Sequence, residues 1–393
     1  MEMDTKQIDF DNTEKAFAWK SDKELKHAAW LFGMMNYSWL VGFGTSLTPL
    51  AFKMKLPIKS LVRKTIFSHF CGGENLEDAL AMTEKLQAYH VAATLDYGTE
   101  GKESEEDFER TIAAIEKSFR LAKGNPQIHF ISLKVTGLAR FALLEKMSSD
   151  DELSDAEKAE SGSLRKKLDR AAAAADDAGI GLFVDAEETW IQIALDNLVR
   201  DMMMKWNKQK AVVLNTLQMY RTDRVEFLSH EIETAKQNGF LLGLKLVRGA
   251  YMDKERKRAN EKNYPSPIAA DKTSTDKNFD DAVRLCIQHI DHVNFCIASH
   301  NENSNLLGAR LSAEKNIPSN HPHLNFSQLL GMSDHISFNL AAQGFRVTKY
   351  IPYGPVQDVI PYLMRRAKEN SSVSGQMGRE LRLLKKEIAR RGL

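Results

Sequence analysis

The segment 362–370, YLMRRAKEN, places Tyr362, Arg365, Arg366 and Glu369 at i, i+3, i+4 and i+7, on one face of a helix. Val359, Leu363 and Ala367 form a separate apolar stripe. Two adjacent guanidinium groups are shaped to hold a carboxylate or a phosphate, so the polar face reads either as a wall that grips an anion or as an ordinary solvated surface. Further polar residues stand where an apolar one would be ordinary: Lys134, Asp185, Gln218, Lys245, Arg248, Ser299, His300, Asn301, Gln328 and Tyr350. Ser299, His300 and Asp185 could compose a triad, but no Gly-x-Ser-x-Gly turn presents the serine. The runs VDAEE and ASHN offer one histidine and few acids, too little for a metal site, and none is expected. The set is rich in cations instead: Lys134, Lys245, Arg248, Arg365 and Arg366 suit a phosphate-bearing ligand together with a carboxylate-bearing substrate.

Those residues need a frame. From residue 91 onward, short β-branched runs alternate with longer amphipathic segments, the pattern of βα units. Strands are predicted near 91–96, 128–135, 181–185, 211–220, 241–249, 293–299, 323–329 and 345–351. Helices are predicted between them, for example over 105–123 and 223–239. Eight such units fit a (β/α)8 barrel, and the polar residues fall at or near the C-terminal ends of seven strands, where such barrels carry their sites. The alternative, a doubly wound open sheet, lacks the Gly-x-Gly-x-x-Gly turn of its dinucleotide-binding version. The charged, alanine-rich stretch 150–178 reads as an insertion of helical surface, and 376–391 as a final exposed helix.

Composition excludes several functions. In 393 residues, 54 basic and 53 acidic side chains nearly cancel, which removes the bulk electrostatic case for nucleic acid. Cys71, Cys286 and Cys296 lack metal-ligand spacing and suit a reducing compartment as small buried hydrophobes. The start, MEMDTKQIDFDNTEK, is acidic and polar, unlike a secretory or transit signal. The uncharged stretch 28–52 is long enough to span a bilayer, but Asn36, three glycines, Pro49 and several hydroxyls dilute it. With the cationic stretch 53–64 it reads either as helices covering the main domain or as a face resting on an anionic bilayer.

Several runs, in this order, resemble the proline dehydrogenase family: LKVTGL (133–138), FVDAEET (183–189), NTLQMY (215–220), KLVRGAYMDKERKRA (245–259), ASHNENS (298–304), FSQLLGM (326–332) and KYIPYGPVQDVIPYLMRRAKENSS (349–372). They span roughly 85–375 and look most like the monofunctional, eukaryotic-type branch. The resemblance implies a distorted (β/α)8 barrel over 86–375, with an N-terminal helical segment (1–85), a helical insertion and a C-terminal helix (376–393). It implies FAD held noncovalently, oxidation of L-proline to Δ1-pyrroline-5-carboxylate, and electrons passed to a membrane quinone. Pyrroline-5-carboxylate dehydrogenase is implied as a further partner, in a cytoplasmic protein peripheral to the inner face of the membrane.

By the same resemblance, Arg365, Arg366 and Lys134 would hold the proline carboxylate, with Tyr350, Tyr362 and Leu329 against its ring. Glu100 would close the site as a gate. Asp185 would orient the cationic cluster or the flavin-side network. Gln218, Lys245, Val247, Gly249, Ala250, Tyr251, Met252, Ser299, His300, Asn301, Gln328 and Glu369 would contact FAD. Gly249 would let backbone approach the cofactor closely. Two departures stand out: Lys245 replaces an arginine common in bacterial relatives and loses its fork, and Met252 replaces a tryptophan beside the adenine. Rival readings are a hydroxyproline dehydrogenase, disfavoured by Tyr350 where such relatives carry serine, and a noncatalytic membrane-associated barrel.

Overall fold

The computed structural model describes residues 8–35, 59–98, 101–149, 151–372 and 376–393, with side chains left undescribed at 61 and 367–377. Eight parallel strands close into a barrel in chain order: β1 (Val91–Tyr97), β2 (Ile128–Leu133), β3 (Gly181–Val184), β4 (Val213–Gln218), β5 (Leu242–Val247), β6 (Val293–Ala298), β7 (Leu324–Leu329) and β8 (Arg346–Tyr353). The expected (β/α)8 architecture is therefore present. β8 runs two residues beyond its predicted end, because its ladder with β1 continues to Tyr97 opposite Tyr353.

The chain divides into two compact units: the described residues of Thr99–Phe326, and those of Lys6–Gly98 with Ser327–Leu393. In the first, side-chain alternation sorts each strand into two faces. Phe130, Phe183, Leu214 and Cys296 meet in one buried cluster, with the Phe130 and Phe183 rings stacked at 4.2 Å. Asn215, one residue on, points the opposite way and donates to Asp196 of the surrounding helix Thr189–Trp206. The aromatic cluster therefore fills the barrel side of β2, β3, β4 and β6, and the helices pack outside it. Gly243 is required here, since a Cβ would lie 2.3 Å from the Val213 carbonyl oxygen.

The stretch expected as an insertion forms the helix Asp155–Ala178. Ser154 and Glu157 make a reciprocal cap at its start, and Gly179, at φ 70°, ends it in the left-handed conformation. Leu164, Leu168, Ala171, Ala172 and Ala175 are buried, so this helix is the crossover from β2 to β3 and not merely surface. Its high charge hides that stripe, because alanine contributes little to a hydrophobic pattern while still packing closely.

In the second unit, the helices Asp22–Met35, Val356–Ser372 and Gln376–Arg390 share a core that includes Leu25, Phe32, Phe70, Val356, Val359, Leu363 and Leu384. The C-terminal helix is thus packed on one face, where Leu383 and Leu384 are 1% exposed. On β8, Lys349 is fully buried and reaches Asp334 at 2.8 Å, in the helix Asp334–Ala341. Lys349 therefore points outward, and its neighbours Thr348 and Tyr350 point to the barrel side. Thr348 joins Thr94 and Ser327 in a chain of hydroxyl hydrogen bonds across β1, β8 and β7. Among the described residues no helix is long and apolar enough to cross a membrane. The stretch 28–64 is described only over 28–35 and 59–64.

Candidate active site

A charged layer sits on the rim side of the Phe130–Phe183 cluster. Ser132 is in phase with Phe130, Asp185 with Phe183, and Lys245 pairs in register with Thr216 and Cys296. The Lys245 ammonium donates to Asp185 Oδ1 and lies 4.8 Å from the centre of the Phe183 ring. Ser132 donates to the same carboxylate oxygen at 2.7 Å, and Lys134 stands 3.8 Å from Asp185 Oδ2. Burial alone would push the Asp185 carboxyl up; Lys245 and Lys134 outweigh it and hold the group well below the ordinary carboxylate range. The layer is thus one carboxylate held ionised between two lysines, both at most 11% exposed. Lys134 lies just beyond β2 as the residue capping the turn Val135–Gly137, so its side chain belongs to the rim.

The other rim residues of this unit divide by what they do. Gln218 is 3% exposed, its amide nitrogen donates to the Glu187 carbonyl at 2.9 Å, and no described residue donates to its buried Oε1. Arg248, grouped above with the anion-gripping cations, is spent within the protein. Its guanidinium donates to Asp276 Oδ1 at 2.8 Å, to Ser299 Oγ at 2.6 Å and to Ser304 Oγ at 3.0 Å, over the Phe279 ring. Asn301 caps the helix Glu302–Glu314 through the Ser304 N–H. Gly249 has φ 127°, and a Cβ there would lie 2.5 Å from the buried Tyr220 ring. Its necessity is therefore local backbone conformation and that ring, a cause distinct from cofactor approach. Val247, Tyr251 and His300 are partly buried, Ala250 is exposed, and Met252 is 43% exposed at the start of the helix Met252–Lys262.

In the second unit, the helix Val356–Ser372 turns Val359 and Leu363 into the core, each 1% exposed. The adjoining stripe carries Tyr362, Arg365 and Arg366. Arg366 keeps 9% of its exposure and its guanidinium carbon lies 5.4 Å from the centre of the Tyr362 ring. For Arg366 the solvated-surface reading fails. Tyr362 and Leu329 pack against the same apolar cluster, and the Tyr350 carbonyl accepts from the Leu330 N–H at 2.9 Å. Gln328, 2% exposed, accepts at Oε1 from Ser337 at 2.8 Å. Glu100 and the Glu369 side chain lie outside the described residues.

Three participants were missed from the sequence: Ser132, Glu187 and Asp276. Ser132 could have been found from its phase with Lys134 across β2. The partners of Glu187 and Asp276 come from distant segments and leave no local signal. Among the described residues no group of histidine, cysteine or carboxylate side chains could hold a metal.

A closed parallel barrel with an ionised, two-lysine carboxylate layer at its rim places the chain in the (β/α)8 class, whose enzymes carry their sites at that end of the strands. The proline dehydrogenase family model matches residues 79–379, and the chain belongs to that family, as an oxidoreductase of proline catabolism. It is similar to "Proline dehydrogenase 1, mitochondrial" of Dictyostelium discoideum, 31% identical over 98% of this chain and 75% of that protein. It is also similar to "Hydroxyproline dehydrogenase" of Xenopus laevis, 30% identical over 95% of this chain and 88% of that protein. Among solved structures it matches proline utilization A (PutA) from Bdellovibrio bacteriovorus, with TM-score 0.70 and 23% identity, over 81% of this chain. The chain spans about a third of that protein, 35% of its length, and the likeness concerns the fold.

Proposed function

We propose that this protein oxidises L-proline to Δ1-pyrroline-5-carboxylate with FAD as the cofactor. Bound FAD would supply the acceptor for the hydride that leaves the carbon beside the ring nitrogen. The observation that carries this reading is the Lys134–Asp185–Lys245 layer, an ionised and largely dry polar group above an apolar floor. The buried Gln218 Oε1 supports a cofactor on the same rim, since it offers an acceptor to a ligand N–H. Lys245, Val247, Gly249, Ala250, Tyr251, Met252, Ser299, His300, Asn301, Gln328 and Glu369 are the further groups assigned to FAD.

The substrate-side residues keep the roles given by the family resemblance. Arg365 and Arg366 take the carboxylate, and Lys134 adds a third cation. Tyr350, Tyr362 and Leu329 provide apolar contact to the ring and exclude water, while Glu100 acts as the gate. Asp185 holds both lysines in place and keeps the layer's net charge low enough to remain packed without substrate. No protein nucleophile is required; the chain orients proline and balances charge. The electrons pass on to a quinone, which calls for peripheral contact with a membrane.

The test is anaerobic. FAD-loaded protein should bleach on addition of L-proline and recover its colour with a soluble quinone. A protein that takes up no FAD, or keeps its colour with proline, would sink the reading. The hydroxyproline alternative has support from the similarity to the Xenopus laevis relative. Faster bleaching by 4-hydroxyproline than by proline would replace the assignment with that one.

A further inference from the structure

Glu187 has no part in the roles assigned above, yet it is one of the most heavily engaged residues of its unit. It lies two residues beyond Asp185, before the helix Thr189–Trp206, and is 4% exposed. Its Oε1 accepts from the Thr136 N–H at 3.2 Å, and its Oε2 accepts from the Thr136 hydroxyl at 2.5 Å. Its own N–H donates to Gln192 Oε1 at 3.2 Å, and its carbonyl accepts from Gln218 at 2.9 Å. One residue therefore ties together the turn after β2, the turn after β3 and the end of β4. Thr136 sits in the short turn that Lys134 caps, so holding Thr136 also fixes where Lys134 leaves the barrel. Gln192 carries the connection further, to Asp196, which is also bound by Asn215 and Arg224.

We propose that Glu187 is a positioning residue that sets how strongly Lys134 holds an anionic ligand, weakening the grip when its carboxyl is ionised. The proposal rests on the reading of Lys134 as a carboxylate-binding group. Protonation leaves the contact with Thr136 in place, because that hydroxyl can turn from donor to acceptor. The charge is what changes: an ionised Glu187, held on Thr136 in the turn that Lys134 caps, attracts the Lys134 ammonium and competes with the ligand for it.

Burial pushes the Glu187 carboxyl up to about 7, against the two hydrogen bonds from Thr136. Glu188, in the same turn, pushes in the same direction and is itself paired with Lys254 of the helix Met252–Lys262. Lys134, from the turn after β2, pulls the other way. Asp196, on the helix Thr189–Trp206, is screened by its ion pair with Arg224 at 2.7 Å. Burial thus brings the Glu187 carboxyl to where its charge changes near neutrality.

The test uses tetrahydro-2-furoic acid, a ring carboxylate without the amine of proline, so its own charge is constant near neutrality. Its Kd is measured by calorimetry on FAD-loaded wild type, Glu187→Gln and Thr136→Val from about pH 6 to about pH 8. In wild type the Kd should rise about three- to tenfold with pH. In Glu187→Gln, which keeps the shape and cannot ionise, it should stay within about twofold. Thr136→Val removes a donor to the carboxylate and should move the midpoint to higher pH. An equal rise in wild type and Glu187→Gln, or a midpoint unmoved in Thr136→Val, overturns the proposal alone. No binding by wild type at any pH overturns the functional reading and this inference together.

Discussion

Lys245 and Asp185, on neighbouring sides of the barrel rim, form a buried ion pair, and Ser132 donates to the carboxylate oxygen they share. The pair is costly to break from one side. In Asp185→Ala, two lysines at most 11% exposed lose their common counterion, and stability should fall by about 3–5 kcal/mol. Urea unfolding of the two proteins at neutral pH measures the difference. A loss under about 1 kcal/mol would show that the lysines find water or another anion.

Arg366 is nearly buried against Tyr362, so its role should separate from that of the cofactor groups. Arg366→Met should weaken binding of proline and of tetrahydro-2-furoic acid by about 2–5 kcal/mol, and Arg365→Met should act in the same direction. FAD content, read from absorbance, should be unchanged in both. Equal loss of FAD and ring carboxylate would move these arginines to the cofactor.

Tyr350 points to the barrel side of β8. Exchange for serine removes aromatic contact with a proline ring and opens room for a hydroxyl. The ratio of kcat/KM for 4-hydroxyproline over proline should rise in Tyr350→Ser, even if both values fall. Steady-state assays on both substrates decide it. An unchanged ratio would remove Tyr350 as the residue that selects between them.

Gly249 stands at φ 127° with the Tyr220 ring where a Cβ would go. Both the backbone conformation and the contact oppose any side chain. Gly249→Ala should lose about 1–3 kcal/mol or more, measured by urea unfolding without FAD. A neutral substitution would mean that the turn after β5 shifts without cost.

Asp334 lies between the ammonium groups of Lys349 and Lys20, at 2.8 and 3.3 Å. Burial pushes its carboxyl up, but the two lysines prevail and hold it at about 2, against 3.8 for a free aspartate. The folded value is the lower one, so the contribution is fully present above about 3.8 and is lost as pH falls through about 2. Asp334→Asn should therefore be less stable than wild type at neutral pH, with the gap narrowing in that acid window. A gap independent of pH would point to lost packing as its cause.

The barrel was legible in the chain because its strands are short β-branched runs between amphipathic segments, a pattern set by near neighbours. The polar residues at the strand ends were legible too, since Lys134, Asp185, Gln218 and Lys245 interrupt otherwise apolar runs. Ser132 was missed, although alternation along β2 puts it in phase with Lys134. What the chain did not disclose is which charges satisfy one another. Arg248 and Lys245 look alike as rim cations, yet Arg248 is engaged by Asp276, Ser299 and Ser304, and Lys245 by Asp185. The alanine-rich helix Asp155–Ala178 hid its buried stripe for a related reason, since small residues pack well while barely marking the pattern. Glu187 is the clearest case. Its identity is local, but its raised carboxyl comes from burial, which outweighs the two hydrogen bonds from Thr136, fifty-one residues earlier in the chain. Burial and ion pairing depend on distances between segments far apart in sequence, and only the folded chain sets those distances.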